Sequence, residues 1–284
     1  MSALRLGLIG DNIARSKSPL LHKLAGQMCG IEVTYDALIP ADLKLDFDAV
    51  FERCFRNGYR GINITYPYKE KVVPKLAVDD RTVQLIGACN TVVFDGATPH
   101  GLNTDFTGFI DAFRGTFGAV SPGAVALVGA GGAGSAVAFA LARLGATGLR
   151  LFDMNRANAE RLALAIASTS NEIEVNVAAS ISDAVTGADG LVNCTPLGMV
   201  GHSGTAIPAV LIRGQNWAFD AVYTPVETEF LANSRAAGLS IMSGYELFVY
   251  QGINAFRIFT GREVDPAALR AALLEPATER RMLA

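Results

Sequence analysis

The chain has 284 residues, of which 50% are hydrophobic and 18% charged, with a formal net charge of −3 at pH 7. It is long enough for one large or two modest domains, and apolar enough for a substantial core, which excludes a disordered chain. A slightly acidic chain gives no electrostatic reason to expect nucleic acid or an anionic membrane as partner.

Four scattered cysteines (Cys29, Cys54, Cys89, Cys194) form no CxxC pair and no zinc-like spacing with histidine. We therefore expect no metal, and reduced, mostly buried thiols. The run from Met1 into a strand-like segment lacks the basic, apolar and small-residue sections of a signal peptide. No stretch reaches the roughly 18 apolar residues that span a bilayer. A cytoplasmic protein is expected.

Along the chain, the apolar run Leu4–Ile9, closed by Gly10, predicts a buried strand. Ser18-Pro19 then opens a helix with Ser18 at the N-cap and Pro19 at the first position, stopping at Gly30. Val33–Ile39 alternates as a second strand, and Leu43–Asn57 reads as helix. Gly61–Thr65 is a third strand, with Ile62 and Ile64 on one side and Asn63 and Thr65 on the other. A hairpin is expected around Thr91–Phe94 and the Asp95-Gly96 turn.

A second unit opens near Asp105 with a helix at Phe106–Thr116, then a strand at Ala124–Val128. A helix to about Leu144, a strand at Leu149–Met154 and a helix at Asn158–Ser168 follow. Further strands are predicted near Ile173–Val177, Gly190–Asn193 and Trp217–Asp220, and terminal helices at Tyr245–Thr260 and Asp265–Leu274. Strands alternating with helices at this spacing imply a parallel sheet.

Gly129-Ala130-Gly131-Gly132-Ala133-Gly134 contains G-x-G-x-x-G between the strand Val125–Val128 and a small-residue helix. That context points to a dinucleotide. Gly129 allows the tight turn, Gly131 lets backbone approach the pyrophosphate, and Gly134 lets helix and strand pack closely. The helix N-terminus offers free N–H groups to the phosphates. Asp153 ends the next strand and is placed to accept hydrogen bonds from the ribose hydroxyls, which favours NAD; Arg156 nearby keeps NADP open.

Hydride chemistry at an alcohol needs a partner for the hydroxyl proton. Polar islands sit at predicted strand ends: Ser16-Lys17-Ser18, Asn63 through Lys69, Ala88-Cys89-Asn90-Thr91 and Asn103-Thr104-Asp105. In order and spacing they resemble the motif set of the shikimate dehydrogenase family. Ser16 through His22 resembles S-x-S-P-x-x-H, Asn63 through Lys69 N-[VI]-T-x-P-x-K, Gly87 through Thr91 G-A-x-N-T, and Asn103 through Asp105 N-T-D. In the second half, Asn193 through Met199 resembles N-x-T-x-x-G-M, Asp220 through Pro225 D-x-x-Y-x-P, and Gln251-Gly252 the substrate-reaching glutamine of the C-terminal helix.

The resemblance implies an NAD(P)-dependent shikimate dehydrogenase of the aromatic amino acid pathway, with Lys69 as acid and base and Asp105 as its partner. It implies that Ser16, Ser18, Asn63, Thr65, Asn90, Tyr223 and Gln251 hold the substrate's hydroxyls and carboxylate. Thr195, Met199, Val222 and Gly244 would join the glycine loop, Asp153 and Arg156 at the cofactor. His22, His100 and His202 are assigned no chemistry.

The expected class is α/β: a substrate-binding catalytic domain at 1–104, completed by 245–284, and a Rossmann NAD(P)-binding domain at 105–244. A monomer or homodimer is expected. In a gapless alignment Asp153-Met154-Asn155 replaces the Asn-Arg-Thr of NADP-dependent members; another alignment uses Asn155-Arg156-Ala157. Lys23 after His22 and Gly244-Tyr245-Glu246-Leu247 also depart from the pattern, as in a paralogue. Quinate, quinate/shikimate or aminoshikimate specificity stays open, as does a dinucleotide-binding sensor without turnover. Retention of both Lys69 and Asp105 speaks against the sensor.

Overall fold

The computed structural model describes residues 3–169 and 173–275. Two compact units divide the chain, Met1–Thr104 with Val249–Ala284, and Asp105–Phe248.

The first unit runs β1 (Leu4–Ile9), α1 (Ser18–Met28), β2 (Val33–Leu38), α2 (Pro40–Leu43), α3 (Phe47–Arg56), β3 (Gly61–Ile64), α4 (Arg81–Ile86), β4 (Thr91–Val93) and β5 (His100–Leu102). Its sheet order is β2-β1-β3-β4-β5. β1 pairs parallel with β2 and β3, and the last two pairings are antiparallel.

Ile62 and Ile64 enter one core with Phe47, Val50, Phe51 and Cys54 of α3. Those four recur at helical spacing, so α3 presents one apolar stripe. Full burial of each phenylalanine contributes about 2–3 kcal/mol. On the other side of the sheet Asn63 bonds to the Tyr35 hydroxyl, so the alternation expected of this strand holds.

Several boundaries differ from the sequence reading. The helix expected at Leu43–Asn57 is the shorter α3: α2 ends at Leu43, Lys44 adopts φ +53, and α3 starts behind Asp46, whose carboxylate accepts the Ala49 N–H at 2.7 Å. Ser18 is not the N-cap of α1. Lys17 holds that position without a side-chain bond, and Ser18 begins the helix, its N–H donating to Ser16 Oγ at 3.2 Å. The hairpin strands are shorter than expected, and the strands at Gly61, Leu149 and Ile173 lie within about a residue or two of the expected limits.

The second unit contains α5 (Thr104–Phe117), whose first residue belongs to the first unit, then β6 (Ala124–Val128), α6 (Gly132–Arg143), β7 (Gly148–Phe152) and α7 (Arg156–Ala167). β8 (Glu174–Val177), α8 (Ile181–Val185), β9 (Gly190–Asn193), β10 (Trp217–Asp220), α9 (Glu229–Ala236) and β11 (Ser240–Ser243) complete it. Its sheet order is β11-β10-β9-β6-β7-β8, every pair parallel. The order reverses at β6, the crevice where such sheets bind dinucleotides. α10 (Gly244–Thr260) runs from this unit back into the first, followed by α11 (Pro266–Leu274). No helix among the described residues is long and apolar enough to cross a membrane.

Candidate active site

In the first unit several candidate substrate residues lie on the segments that follow β1 and β3. Gly10 is required there: a Cβ would press on Ile13 and on the Thr65 methyl. Thr65 donates its N–H to the Ile9 carbonyl at 2.9 Å and accepts the Tyr68 N–H at 2.9 Å, which folds the chain over a cis Tyr66–Pro67 bond toward Lys69. Lys69 is half-buried, and its carbonyl takes the Cys89 N–H at 2.9 Å, tying the lysine to the residue before Asn90. Ser16 and Ser18 share a hydroxyl–hydroxyl bond of 3.1 Å at the start of α1. Gln251 is half-buried on α10, where the next residue, Gly252, lies against Leu21 of α1.

A buried polar network underlies this edge. The Asn63 amide donates to the Asn90 carbonyl at 3.3 Å and to Thr91 Oγ1 at 3.1 Å, while its oxygen accepts the Tyr35 hydroxyl at 2.9 Å. Asn63 is thereby engaged by the protein on both ends of its carboxamide. His22 also hydrogen-bonds the Asn63 side chain and stacks on Tyr35 with ring centres 4.8 Å apart. Burial pushes the His22 imidazole down to about 3, so it is neutral. The network was not visible in sequence, because its members come from four separated elements.

The Asn90 oxygen accepts the Thr104 N–H at 2.7 Å, and Asn103 donates to the Ala88 carbonyl at 2.8 Å. Asp105, buried, occupies the first turn of α5 rather than its cap.

In the second unit the candidate cofactor residues sit at the carboxyl ends of β6, β7, β9 and β10. Gly129 has φ +98, and a Cβ there would strike the Cys194 carbonyl, so the glycine loop lies against the turn after β9. A Cβ on Gly134 would run into the Gly129 carbonyl oxygen, whereas one on Gly131 would meet nothing within 4 Å. Gly131 is the N-cap of α6 and no side chain caps that helix, so the first-turn N–H groups, from Gly132 and Ala133 onward, stay available beside an open cradle that Ala130 borders. These features fit a pyrophosphate.

Asp153 does something the sequence did not reveal. Its two oxygens accept the Ala130 N–H at 2.7 Å and the Asn155 N–H at 2.8 Å, fastening the glycine loop to the end of β7. Each oxygen retains a second lone pair for a ribose hydroxyl. Arg156 opens α7 and pairs with Glu160 at 2.8 Å, and Met154 is 96% exposed.

After β9, Asn193 accepts both the N–H (2.9 Å) and hydroxyl (2.7 Å) of Thr195, shaping the turn that leads to half-buried Met199. Asn193 also donates to Asp220 at 2.9 Å. Asp220, fully buried, accepts the Val222 N–H at 3.0 Å and the Thr228 hydroxyl at 2.6 Å. Its carboxyl rises to about 6, because burial outweighs those bonds. Gly244 has no room for a Cβ against the Ala221 and Val222 carbonyls. Tyr223 stacks on Phe248 at 5.3 Å.

Residues 8–92 match the family model described as the shikimate dehydrogenase substrate-binding domain, and residues 244–274 that of the shikimate 5′-dehydrogenase C-terminal domain. The quinate/shikimate dehydrogenase (NAD(+)) of Corynebacterium efficiens is 38% identical, with 96% of this chain and 98% of that protein covered. The shikimate dehydrogenase (NADP(+)) of Pseudarthrobacter chlorophenolicus is 37% identical, over 95% of this chain and 94% of that one. Among solved structures, quinate dehydrogenase from Corynebacterium glutamicum in complex with NAD superimposes with a TM-score of 0.87, at 34% identity, covering 95% of this chain and 98% of that one. The Thermus thermophilus shikimate 5-dehydrogenase in complex with NADP(H) and shikimate gives 0.82 at 32% identity, over 98% and 99%.

Proposed function

The chain belongs to the shikimate/quinate dehydrogenase family, whose members are NAD(P)-dependent oxidoreductases, and we propose that it interconverts shikimate and 3-dehydroshikimate at C3. A dinucleotide held by the glycine loop Gly129–Gly134 and Asp153 would supply the acceptor for the C3 hydride in oxidation and its donor in reduction. Lys69 takes the C3 hydroxyl proton in the first direction and gives it back in the second, with Asp105 as its carboxylate partner. Ser16, Ser18, Thr65, Asn90, Tyr223 and Gln251 hold ring hydroxyls and carboxylate, and Asn63 holds Asn90 and Thr91 beneath them. The observation that carries the reading is the polar edge of the first unit, where Lys69 is tethered through Cys89 beside Asn90.

The cofactor preference we assign is NAD. Asp153 sets a carboxylate on the glycine loop, where it repels a 2′-phosphate. Met154 stands where the gapless alignment needs arginine, and Arg156 is held by Glu160.

A second reading, turnover of quinate as well as shikimate, is favoured by the quinate-active relatives, while family members that accept quinate well tend to carry threonine where this chain has Ser18, which favours shikimate. A pocket without a partner for the extra C1 hydroxyl of quinate disfavours it only modestly, by roughly 10²-fold. The test is initial rates with shikimate and quinate, each with NAD and NADP, on the unaltered enzyme and on Lys69→Ala. We expect the highest kcat/KM with shikimate and NAD. We expect Lys69→Ala to lose roughly 10²–10⁴-fold in kcat with a smaller change in KM. A near-normal kcat in that variant sinks the assignment; better kcat/KM with quinate or NADP reverses the corresponding preference only.

A further inference from the structure

We propose that Thr104, on which nothing in the reaction has so far depended, is a positioning residue for Asp105, and that it acts through a chain of hydrogen bonds that ends on the Asn90 oxygen. The proposal rests on the assignment of Lys69 and Asp105 to proton transfer.

The chain follows from counting protons. Tyr35 donates its hydroxyl to the Asn63 oxygen at 2.9 Å, and the Asn63 amide donates to Thr91 Oγ1 at 3.1 Å. Having received that proton, Thr91 has its own to give, and the Asn90 oxygen and Thr104 Oγ1 each lie 3.0 Å away. Thr104 then donates its hydroxyl to the Asn90 oxygen at 3.1 Å, and its backbone N–H to the same oxygen at 2.7 Å. Both threonine hydroxyls and the Thr104 N–H thus converge on the Asn90 side-chain oxygen. All of Asn63, Thr91, Asn90 and Thr104 are at most 6% exposed, so water does not substitute for a missing member.

The mechanical consequence lies in α5. Thr104 is its first residue, and the N–H groups of a first turn have no partner inside the helix. Asn90 supplies one from outside, so the start of α5 is fixed to the residue that precedes β4 by two bonds to a single oxygen. Asp105 is the next residue on that turn. This spends the oxygen of Asn90 and leaves its amide nitrogen outside the network, available to substrate. Removing the Thr104 hydroxyl leaves Thr91 with the Asn90 oxygen alone as acceptor and the helix start held by one bond. A shift of about 1 Å in a catalytic group lowers turnover by as much as roughly 10²-fold.

The experiment compares Thr104→Val, Thr104→Ser, Asp105→Asn and the Thr104→Val/Asp105→Asn pair, recording kcat, KM, the pH profile of kcat and the thermal midpoint. We expect Thr104→Val to lower kcat about ten-fold or more with KM for shikimate changed by less than about three-fold, since the lost interaction acts in turnover. Its pH profile should move to the same side as that of Asp105→Asn, a change that mere loss of stability does not produce. Thr104→Ser keeps the hydroxyl and should recover most of the lost kcat. The double variant should be no slower than Asp105→Asn beyond about three-fold, because coupled residues are not additive.

A normal kcat in Thr104→Val beside a slow Asp105→Asn overturns the proposal alone, as does full additivity or a fall that serine does not rescue. Normal turnover in Asp105→Asn removes the proton-transfer assignment and the proposal with it.

Discussion

Asp153 illustrates how much one carboxylate can be asked to do. Its place at the end of a strand, 19 residues beyond Gly134, was legible from spacing. Its bonds to Ala130 and Asn155 were not, since backbone donors carry no sequence signature. Ser18 failed in the opposite sense: Ser-Pro is a strong helix-start signal, yet the cap position went to Lys17 because Ser16 lies close enough to take the Ser18 N–H. For Asp153→Ala, two charge-assisted bonds are lost, and we expect a loss of about 2–3 kcal/mol in stability of the second unit. KM for NAD should rise while NADP is relieved of repulsion, narrowing the ratio of kcat/KM between them. If the ratio stays fixed while stability falls, Asp153 is a loop fastener only, and recognition of the ribose lies elsewhere.

At the scale of elements, long periodic segments were readable and short ones were not. α3, α6, α7 and α10 each repeat their apolar stripe over two turns or more, and β6 is an unbroken apolar run. α2, α4 and α8 hold four to six residues, which is too little to show a period, and went unseen. The edge strand β11, Ser-Ile-Met-Ser, and the eight-residue α9 before it were missed as well. β11 is paired on one side alone, so it lacks the apolar density of a central strand. The glycine loop was legible because chemistry and packing both demand glycine there, and substitution separates the two demands. Gly131 has φ −78 and open space at its Cβ, so Gly131→Ala should change stability by less than about 0.5 kcal/mol. Its methyl would fill the cradle, and we expect KM for the cofactor to rise roughly ten-fold or more, an affinity loss of about 1.4 kcal/mol. Gly134→Ala should instead destabilise the unit by about 1–3 kcal/mol, through overpacking against the Gly129 carbonyl. Equal behaviour of the two variants in thermal melts and cofactor titrations would refute the division of roles.

In each unit burial shifts a titratable group outside the proton-transfer pair, His22 in the first and Asp220 in the second, and the two shifts carry opposite signs. In the first, His22 falls from 6.5 to about 3 through burial. The unfolded chain binds its proton first, so stability is full above about 6.5 and is lost as pH falls toward 3. In the second, Asp220 rises from 3.8 to about 6 through burial. Here the folded state binds the proton first, so the stabilisation is full below 3.8 and is lost as pH rises through about 6. The Asp220 shift corresponds to about 3 kcal/mol. Trp217, the single tryptophan, is buried at the start of β10, with its indole N–H on the Pro122 carbonyl at 3.0 Å, so its fluorescence reports the second unit. Asparagine at 220 keeps an oxygen for Asn193 and Val222 and offers its amide to the Thr228 hydroxyl, without a charge to bury. In urea titrations followed at Trp217, Asp220→Asn should therefore gain on the unaltered protein by about 3 kcal/mol between pH 4 and pH 7.5. Hydrogen exchange in β1 and β3 should show the opposite trend for the first unit, with protection falling on acidification through the window of His22, and His22→Phe should flatten it. A gap between Asp220→Asn and the parent that stays constant with pH would show that the buried carboxyl is already charged in the folded state, and that its three bonds offset the burial completely.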